Sequence, residues 1–306
     1  MKILEFANHF PDEESCRAHF KQLRITKGVT CKRCGGINHY WLNSKSMFQC
    51  KGCRFRTSLR SGTVMENSKL PFRYWYIAMH LLTSTKKSFS ALEMQRQIGH
   101  RRYEPIWAML HKIRMIMGKK EVQAELKGWI ELDEGFFAFR VSEETRKNSK
   151  TGKGSARMAK VLVMVESEEV PKSKKYQKTR RCGQFKMRHI PDLKGKTIVN
   201  ELKTLIHPDS HIMTDNLGSY SRLHQHFKEH QILPATGKQA SKLLPWVHTA
   251  IANARRTLLG IFHGMDKKYV QNYLDEFCYK LNRRYRGEQR FMDLMADSLT
   301  HWKPEI

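Results

Sequence analysis

Apolar positions recur at helical spacing over much of the first 120 residues and change to strand-like runs over the next hundred. Residues 12–24 (DEESCRAHFKQLR) put Cys16, Phe20 and Leu23 on one face, with Asp12 placed to cap the start. Residues 25–68 hold only short β-prone pieces: HYWLN, MFQC and FRTSL. After Pro71 a helix is predicted from about Phe72 to Thr83. A second opens at Ser90, where Ser-Ala-Leu-Glu fits a capping box with Glu93, and it stops at Gly99. A third runs from about Tyr103 to Met117, with Ile106, Met109, Leu110, Ile113 and Met117 on one face. Two helices joined by Gly-His-Arg-Arg beside an apolar third fit a helix-turn-helix, and they fit a plain three-helix connector equally well.

From Gly128 the period shortens. WIELDEGFFAFR, ARMAKVLVMVE, FKMRHI and SHIMTD read as four strands, and helices are expected near 195–206, 218–229, 246–260 and 267–283. The polar, basic stretches around 143–158 and 170–182 read as loops. The expected architecture is an α+β multidomain chain. It has a helix and cysteine-bearing module over 1–68, a helical, helix-turn-helix-like segment over 69–120, a mixed α/β domain over 126–290, and a tail over 291–306. Trp41, Trp75, Trp107 and Trp129 fit core positions, as do Cys16 and Cys278.

Charge narrows the class of partner. Among 306 residues there are 56 Lys plus Arg against 29 Asp plus Glu, a formal charge of +27. Such an excess attracts a polyphosphate backbone. An anionic membrane surface would attract it as well, but no apolar run approaches the roughly 18 residues of a transmembrane helix. MKILEFANHFPDEES turns acidic before any long apolar core forms, which makes it a poor signal peptide. The expectation is a soluble, cytoplasmic protein that is associated with the nucleoid and does not engage a membrane. Between Glu143 and Arg188 fourteen Lys or Arg face five Glu, either a solvated surface or a track for DNA.

Seven cysteines, an odd number with no export signal, argue against a disulfide framework. Four of them, Cys31, Cys34, Cys50 and Cys53, follow C-x2-C-x15-C-x2-C. Each C-x2-C makes a knuckle that brings two thiolates to one metal, and two knuckles close a tetrahedral site with no open position. Structural Zn²⁺ is the expected occupant, replacing a core that so short a segment cannot build. An iron site or two disulfides are the alternatives. Gly35, Gly36 and Gly52 stand where a knuckle backbone needs unusual φ. Lys32, Arg33, Lys51, Arg54 and Arg56 favour DNA as the partner of this ribbon, although ribbons also bind protein.

A second chemistry sits in the strands. Alternation puts Glu131 and Asp133 on one face of their strand, with Ile130 and Leu132 on the other. Carboxylates in an apolar strand are costly to bury unless they meet a cation. Asp215 ends a second apolar strand. Two such aspartates brought together could hold Mg²⁺ or Mn²⁺ with positions open for phosphate oxygens. The plainer alternative has Asp215 capping the next helix and Asp133 paired with an arginine. Further on, Trp246–Arg256 offers only Asn253 and His248 as additional ligands. His248 and His263 are each more often packing residues than ligands.

Taken together, FRTSLRSGTVMENSKLPFRYWYIAMHLL, ELDEGFF, IMTDNLGSY, LPWVHTAIANARRTLLGIFHG and YLDEFCYKLNRR, with the cysteine pairs, resemble the insertion-sequence 1595 family of bacterial transposases over nearly the whole chain. The resemblance implies a ribonuclease-H-like mixed α/β catalytic domain with a metal-binding triad whose third acid is Asn in many members. Here that triad is Asp133, Asp215 and Asn253, at spacings of 82 and 38 residues. Where many relatives carry a lysine after the third ligand, this chain has Gly260, with Arg255 and Arg256 nearby. Because Asn donates a neutral oxygen, Glu131 is the expected helper, whereas Glu134 points to the other strand face. The implied activity is metal-dependent cleavage and strand transfer of double-stranded DNA by a homodimer or higher oligomer. Arg33, Arg54, Arg56, Arg101, Arg102, Arg180, Arg181, Arg255 and Arg256 are the expected DNA contacts. A nuclease without strand transfer and a non-catalytic DNA-binding regulator are the rival readings.

Overall fold

Fifteen residues of helix open on the cap the pattern foresaw: Asp12 accepts the Ser15 amide at 2.8 Å and starts α2 (Glu13–Lys27), behind a short α1 (Ile3–His9). The computed structural model describes residues 1–148, 152, 155–171, 180–233, 243–262 and 264–299. The chain divides into two compact units, Met1–Met117 with Tyr285–Ile306, and Gly118–Arg284.

In the first unit, β1 (His39–Leu42), β2 (Met47–Cys50) and β3 (Arg56–Ser58) form an antiparallel sheet. Three helices follow: α3 (Phe72–Ser84), α4 (Ala91–Ile98) and α5 (Tyr103–Gln123), the last reaching past the division at Met117. Ser90 accepts the Glu93 amide at 3.1 Å, and Gly99 ends α4 at φ +74. Pro71, in the N-cap position of α3, has no side-chain acceptor, so the Glu13 carboxylate takes the Phe72 and Arg73 amides at 3.0 and 2.9 Å. The expected C-terminal tail is corrected in part. Residues Gln289–Asp297 form the helix α10, whose Phe291 enters an aromatic cluster with Phe6, Phe10, Tyr76 and His80. Its Phe291, Leu294 and Met295 supply the apolar face.

The second unit is built on a five-stranded sheet: β4 (Trp129–Ala138), β5 (Met158–Glu169), β6 (Arg180–Ile190), β7 (His211–Thr214) and β8 (Glu229–Ile232). The strand order is β6-β5-β4-β7-β8; β4, β5 and β6 pair antiparallel, whereas β7 and β8 run parallel to β4. This is the ribonuclease-H-like arrangement of a mixed sheet. Helix α7 (Gly195–Leu205) covers the face carrying Ile130, Leu132, Leu162, Met164 and Ile212. Helices α8 (Pro245–Ile261) and α9 (Val270–Asn282) cover the face carrying Phe137, Val161, Val163, Val165 and Met213.

Three boundaries differ from the sequence expectation. No helix forms over 218–229: Tyr220, Leu223 and Phe227 mimic a helical stripe, but the backbone makes two 3-10 turns and then enters β8. The third strand begins at Arg180, so residues 180–182 pair with β5 and do not form a loop. Residues Glu143–Asn148, expected as loop, form the short α6. Parts of both basic stretches (149–151, 153–154 and 172–179), together with His263 and residues 300–306, lie outside the described residues.

Candidate functional site

The four knuckle cysteines converge. Their sulfurs all lie within 4.8 Å of one another, with Cys31 Sγ to Cys53 Sγ at 3.5 Å and Cys34 Sγ to Cys50 Sγ at 3.6 Å. Those separations are far beyond a disulfide bond of about 2.05 Å and close to the ~3.8 Å between sulfurs about 2.3 Å from one tetrahedral zinc. The four are free cysteines. Burial resists ionisation of the Cys31 thiol, yet amides of Cys34 and Arg33 aimed at its sulfur bring it down to about 7. The Gly36 amide favours the Cys34 thiolate, but the three neighbouring sulfurs outweigh it and push that thiol up to about 12. Four sulfurs this close cannot all ionise without a cation among them, and the donor set fits structural zinc.

The knuckles are closed by equivalent bonds, Gly35 N to Cys31 O and Arg54 N to Cys50 O, both at 3.0 Å. Gly35 is left-handed at φ +72, as expected; the residue in the matching position of the second knuckle is Arg54, at φ +60. Gly36 and Gly52 do not have positive φ. Gly36 has a different reason: a Cβ there would stand 3.4 Å from the sulfurs of Cys34 and Cys50.

The acidic site is assembled by strand register. Trp129, Ile130 and Glu131 pair with His211, Ile212 and Met213 in the parallel β4–β7 ladder. Continuing that register by two residues sets Asp133 beside Asp215. Asp133 belongs to the odd-numbered set of β4 that faces α8, as Phe137 does, and Asp215 follows the last residue of β7. Asp133 Oδ1 accepts the Glu134 amide at 2.8 Å, and Asp215 Oδ1 accepts the Leu217 amide at 3.2 Å, which turns the chain sharply after β7. From α8, His248 Nδ1 stands 3.4 Å from Asp133 Oδ2.

Glu131, the expected helper of the metal, has another task. It is fully buried, and its Oε1 accepts Ser167 Oγ at 2.7 Å while Oε2 accepts the amides of Trp246 and Val247 at 2.8 and 2.9 Å. Helix α8 begins with Pro245 after Leu244, which has no side-chain acceptor to cap it. The carboxylate of β4 therefore supplies the missing N-terminal acceptor, and the negative charge sits at the positive end of the helix. Burial pushes this carboxyl above its ordinary range, and the three donors pull against that. Ser167 Oγ in turn accepts Arg180 Nε at 2.8 Å, and Arg180 also reaches Ser167 O and Glu169.

Glu134 faces the other side of the sheet, as alternation requires, and accepts the Tyr220 hydroxyl. Burial first, opposed by that hydroxyl and reinforced by Asp133 and Asp215, pushes its carboxyl up to about 7. No local sequence signal marks the Tyr220 contact, because the two residues are 86 positions apart.

Asn253, five residues after His248, lies about 140° round the helix from it, and its Oδ1 accepts Arg256 Nη2 at 2.8 Å. Arg255, by contrast, lies within about 20° of His248 and donates to Phe136 O at 3.3 Å, so this flank of α8 is the one beside β4. At Gly260 an added Cβ would meet open space. Of the other arginines, Arg33, Arg54, Arg56, Arg101 and Arg102 are exposed, while Arg181 pairs with Glu168 at 2.6 Å. None of the described helices is long and apolar enough to cross a membrane.

Comparison with known families gives two matches. Residues 125–282 match the ISXO2-like transposase domain, and residues 11–56 match the transposase zinc-ribbon domain. A search of curated proteins found no match.

Proposed function

Because the chain belongs to the ISXO2-like transposase domain family, the insertion-sequence 1595 type, we propose that it cuts the ends of a DNA element and joins them to target DNA. What supports this reading is the β4–β7 register from Trp129↔His211 to Glu131↔Met213, which, continued by two residues, would bring Asp133 and Asp215 next to each other. Two partly buried carboxylates brought near each other beside α8 fit Mg²⁺ or Mn²⁺. Such ions, when bound, polarise a phosphate oxygen and lower the pKa of an attacking water or 3′-hydroxyl. The resemblance names Asn253 as the third ligand.

The chain's own groups position the reactants. Glu131 fixes the start of α8 against β4, which sets the height of His248 and Arg255 above the acidic pair. Arg255 and Arg256 bring positive charge to the rim, where a DNA backbone would pass. The zinc ribbon, with Arg33, Arg54 and Arg56, and the α4–α5 turn, with Arg101 and Arg102, carry the contacts that locate element ends; phosphate contacts set register and base edges supply specificity. Cutting and joining two ends together requires at least two copies on DNA.

The test uses full-length protein, a pre-cleaved end fragment, a target plasmid and Mn²⁺. Wild type is expected to join the end to the target, while Asp133→Asn and Asp215→Asn lower joining by at least about a thousandfold. Cleavage without joining would leave a nuclease, and binding without either reaction would leave a DNA-binding regulator.

A further inference from the structure

We propose that a cleft between α5 and residues 67–71, within the first unit, receives one unpaired nucleotide of a DNA strand. The inference rests on the reading of this chain as a protein that handles DNA.

Two walls make the cleft. Along one, the Arg60 guanidinium donates to the carbonyls of Ser68 and Leu70, which fixes the course of the segment leading into α3. Along the other, Pro105, Met109 and Lys112 recur every three or four residues and so share one face of α5, with Arg102 just before the helix. Trp75 of α3 lines it from the core side. The volume is about 530 Å³, within the range of about 300–1,000 Å³ typical of ligand clefts.

Its chemistry is divided. Leu70, Trp75 and Met109 are buried and give an apolar interior. Lys69, Arg102 and Lys112 add positive charge, and no Asp or Glu is among the described residues that line the cleft. Lys69 and Arg102 are exposed and make no ion pair among the described residues. Lys112 Nζ donates to Glu66 O at 2.8 Å, while the Glu66 carboxylate is engaged by Lys32 and the Gly62 amide.

Two polar groups are left over. The Asn67 side chain makes no hydrogen bond among the described residues, and an amide of this kind can pair with the edge of an adenine. The Trp75 indole N–H is buried without an acceptor, a rare state for a donor in a folded chain.

An apolar interior beside three cations and no acid suits a flat ring joined to phosphates. A duplex satisfies half of this, because its phosphates meet the cations while its stacked bases leave the interior unfilled. An unpaired nucleotide satisfies both, its base lying against apolar and aromatic side chains and its phosphates on the cations. From Arg102 to Lys112 the helix rises about 15 Å, room for the phosphates on either side of one nucleotide. The cleft adjoins the α4–α5 turn, which His100 Nδ1 closes by accepting the Arg102 amide at 3.1 Å.

The test uses zinc-loaded full-length protein and single-stranded hexamers carrying one 5-iodouracil among thymines. Irradiation of the wild-type complex is expected to cross-link that base to peptides containing Trp75, His100 or Met109, identified by mass spectrometry. Fluorescence anisotropy then compares a thymine hexamer with an abasic hexamer of equal charge. The bases should tighten binding about tenfold or more, the scale of stacking one base on an aromatic side chain. Ala108→Trp, filling the cleft from an exposed position, should bring the thymine hexamer down to the abasic level, with zinc content and melting temperature checking the fold. Cross-links confined to other regions overturn the inference without any variant having to fold. So does equal affinity for the two hexamers, which leaves a phosphate site only, or an undiminished preference for bases in Ala108→Trp. If the protein binds neither hexamer nor duplex DNA, the DNA reading itself fails; if it binds duplex DNA but gives no cross-link in the cleft, that reading survives and this inference alone falls.

Discussion

Removing the Glu131 side chain should undo the seating of α8, because one buried carboxylate serves three donors. In Glu131→Ala the amides of Trp246 and Val247 lose the acceptor that Leu244 cannot replace, and the Ser167 hydroxyl loses its own. Each buried donor left unsatisfied costs about 1–3 kcal/mol. Against this stands relief of the carboxylate's desolvation, the effect that raises its pKa. The balance is a loss of about 3–5 kcal/mol, typical of breaking a buried charged network by deleting one member. Glu131→Gln keeps one oxygen for the two amides but turns an NH₂ toward Ser167 Oγ, which already accepts Arg180. Its cost should be smaller, about 1–2 kcal/mol. Urea unfolding of the full chain measures the global loss, and hydrogen exchange over residues 243–250 measures the local one. Exchange there should rise about a hundredfold in Glu131→Ala, the factor equivalent to roughly 3 kcal/mol. A loss below 1 kcal/mol with unchanged exchange would refute the reasoning, as would a glutamine variant as damaged as the alanine.

Three further predictions concern the zinc module and the buried Asp275 carboxylate. Cys50→Ser, or chelation of the wild type, should unfold the 29–58 module while leaving the sheet of the second unit intact, seen as loss of one zinc per chain and new proteolytic cuts confined to that module. Gly118→Ala should gain up to ~1 kcal/mol of helix propensity yet lose more. The new Cβ runs into the Asp275 carboxylate, which Gln271 holds at 2.7 Å, so a net destabilisation of about 1–3 kcal/mol is expected in thermal melts. Asp275 itself should make stability fall with rising pH. Burial lifts its carboxyl from 3.8 to about 7, so the folded chain holds a proton that the unfolded chain has released. The contribution is full below about pH 4 and is lost as pH rises toward 7, with a slope of at most about 1.4 kcal/mol per unit. Asp275→Asn should flatten that slope between pH 4 and 7; an unchanged slope would show that Asp275 does not carry it.

How much of this was legible depended on whether a signal was local. The cysteine ligands needed only their spacing, because each knuckle is one turn of chain and two knuckles have few ways to close on one ion. Asp133 and Asp215 were visible as carboxylates ending apolar runs, and their offset of 82 is the offset of the β4–β7 register, Trp129 to His211. The capping of α2 by Asp12 and of α4 by Ser90 was equally local. The 218–229 segment misled because Tyr220, Leu223 and Phe227 keep helical spacing while packing from turns.

By itself, then, the sequence determined the zinc module, the strand carrying Glu131 and Asp133, and the basic character that suits DNA. Those follow from short-range geometry and from composition. Which groups each carboxylate meets was decided only by the tertiary structure. Glu131 and Asp133 share a strand face and differ by one pleat, yet Glu131 meets the start of α8 and is buried, while Asp133 meets the half-open His248. Which flank of α8 faces the acids depends on how that helix lies across β4. That orientation comes from a cap supplied across 115 residues of chain, a contact no local pattern encodes.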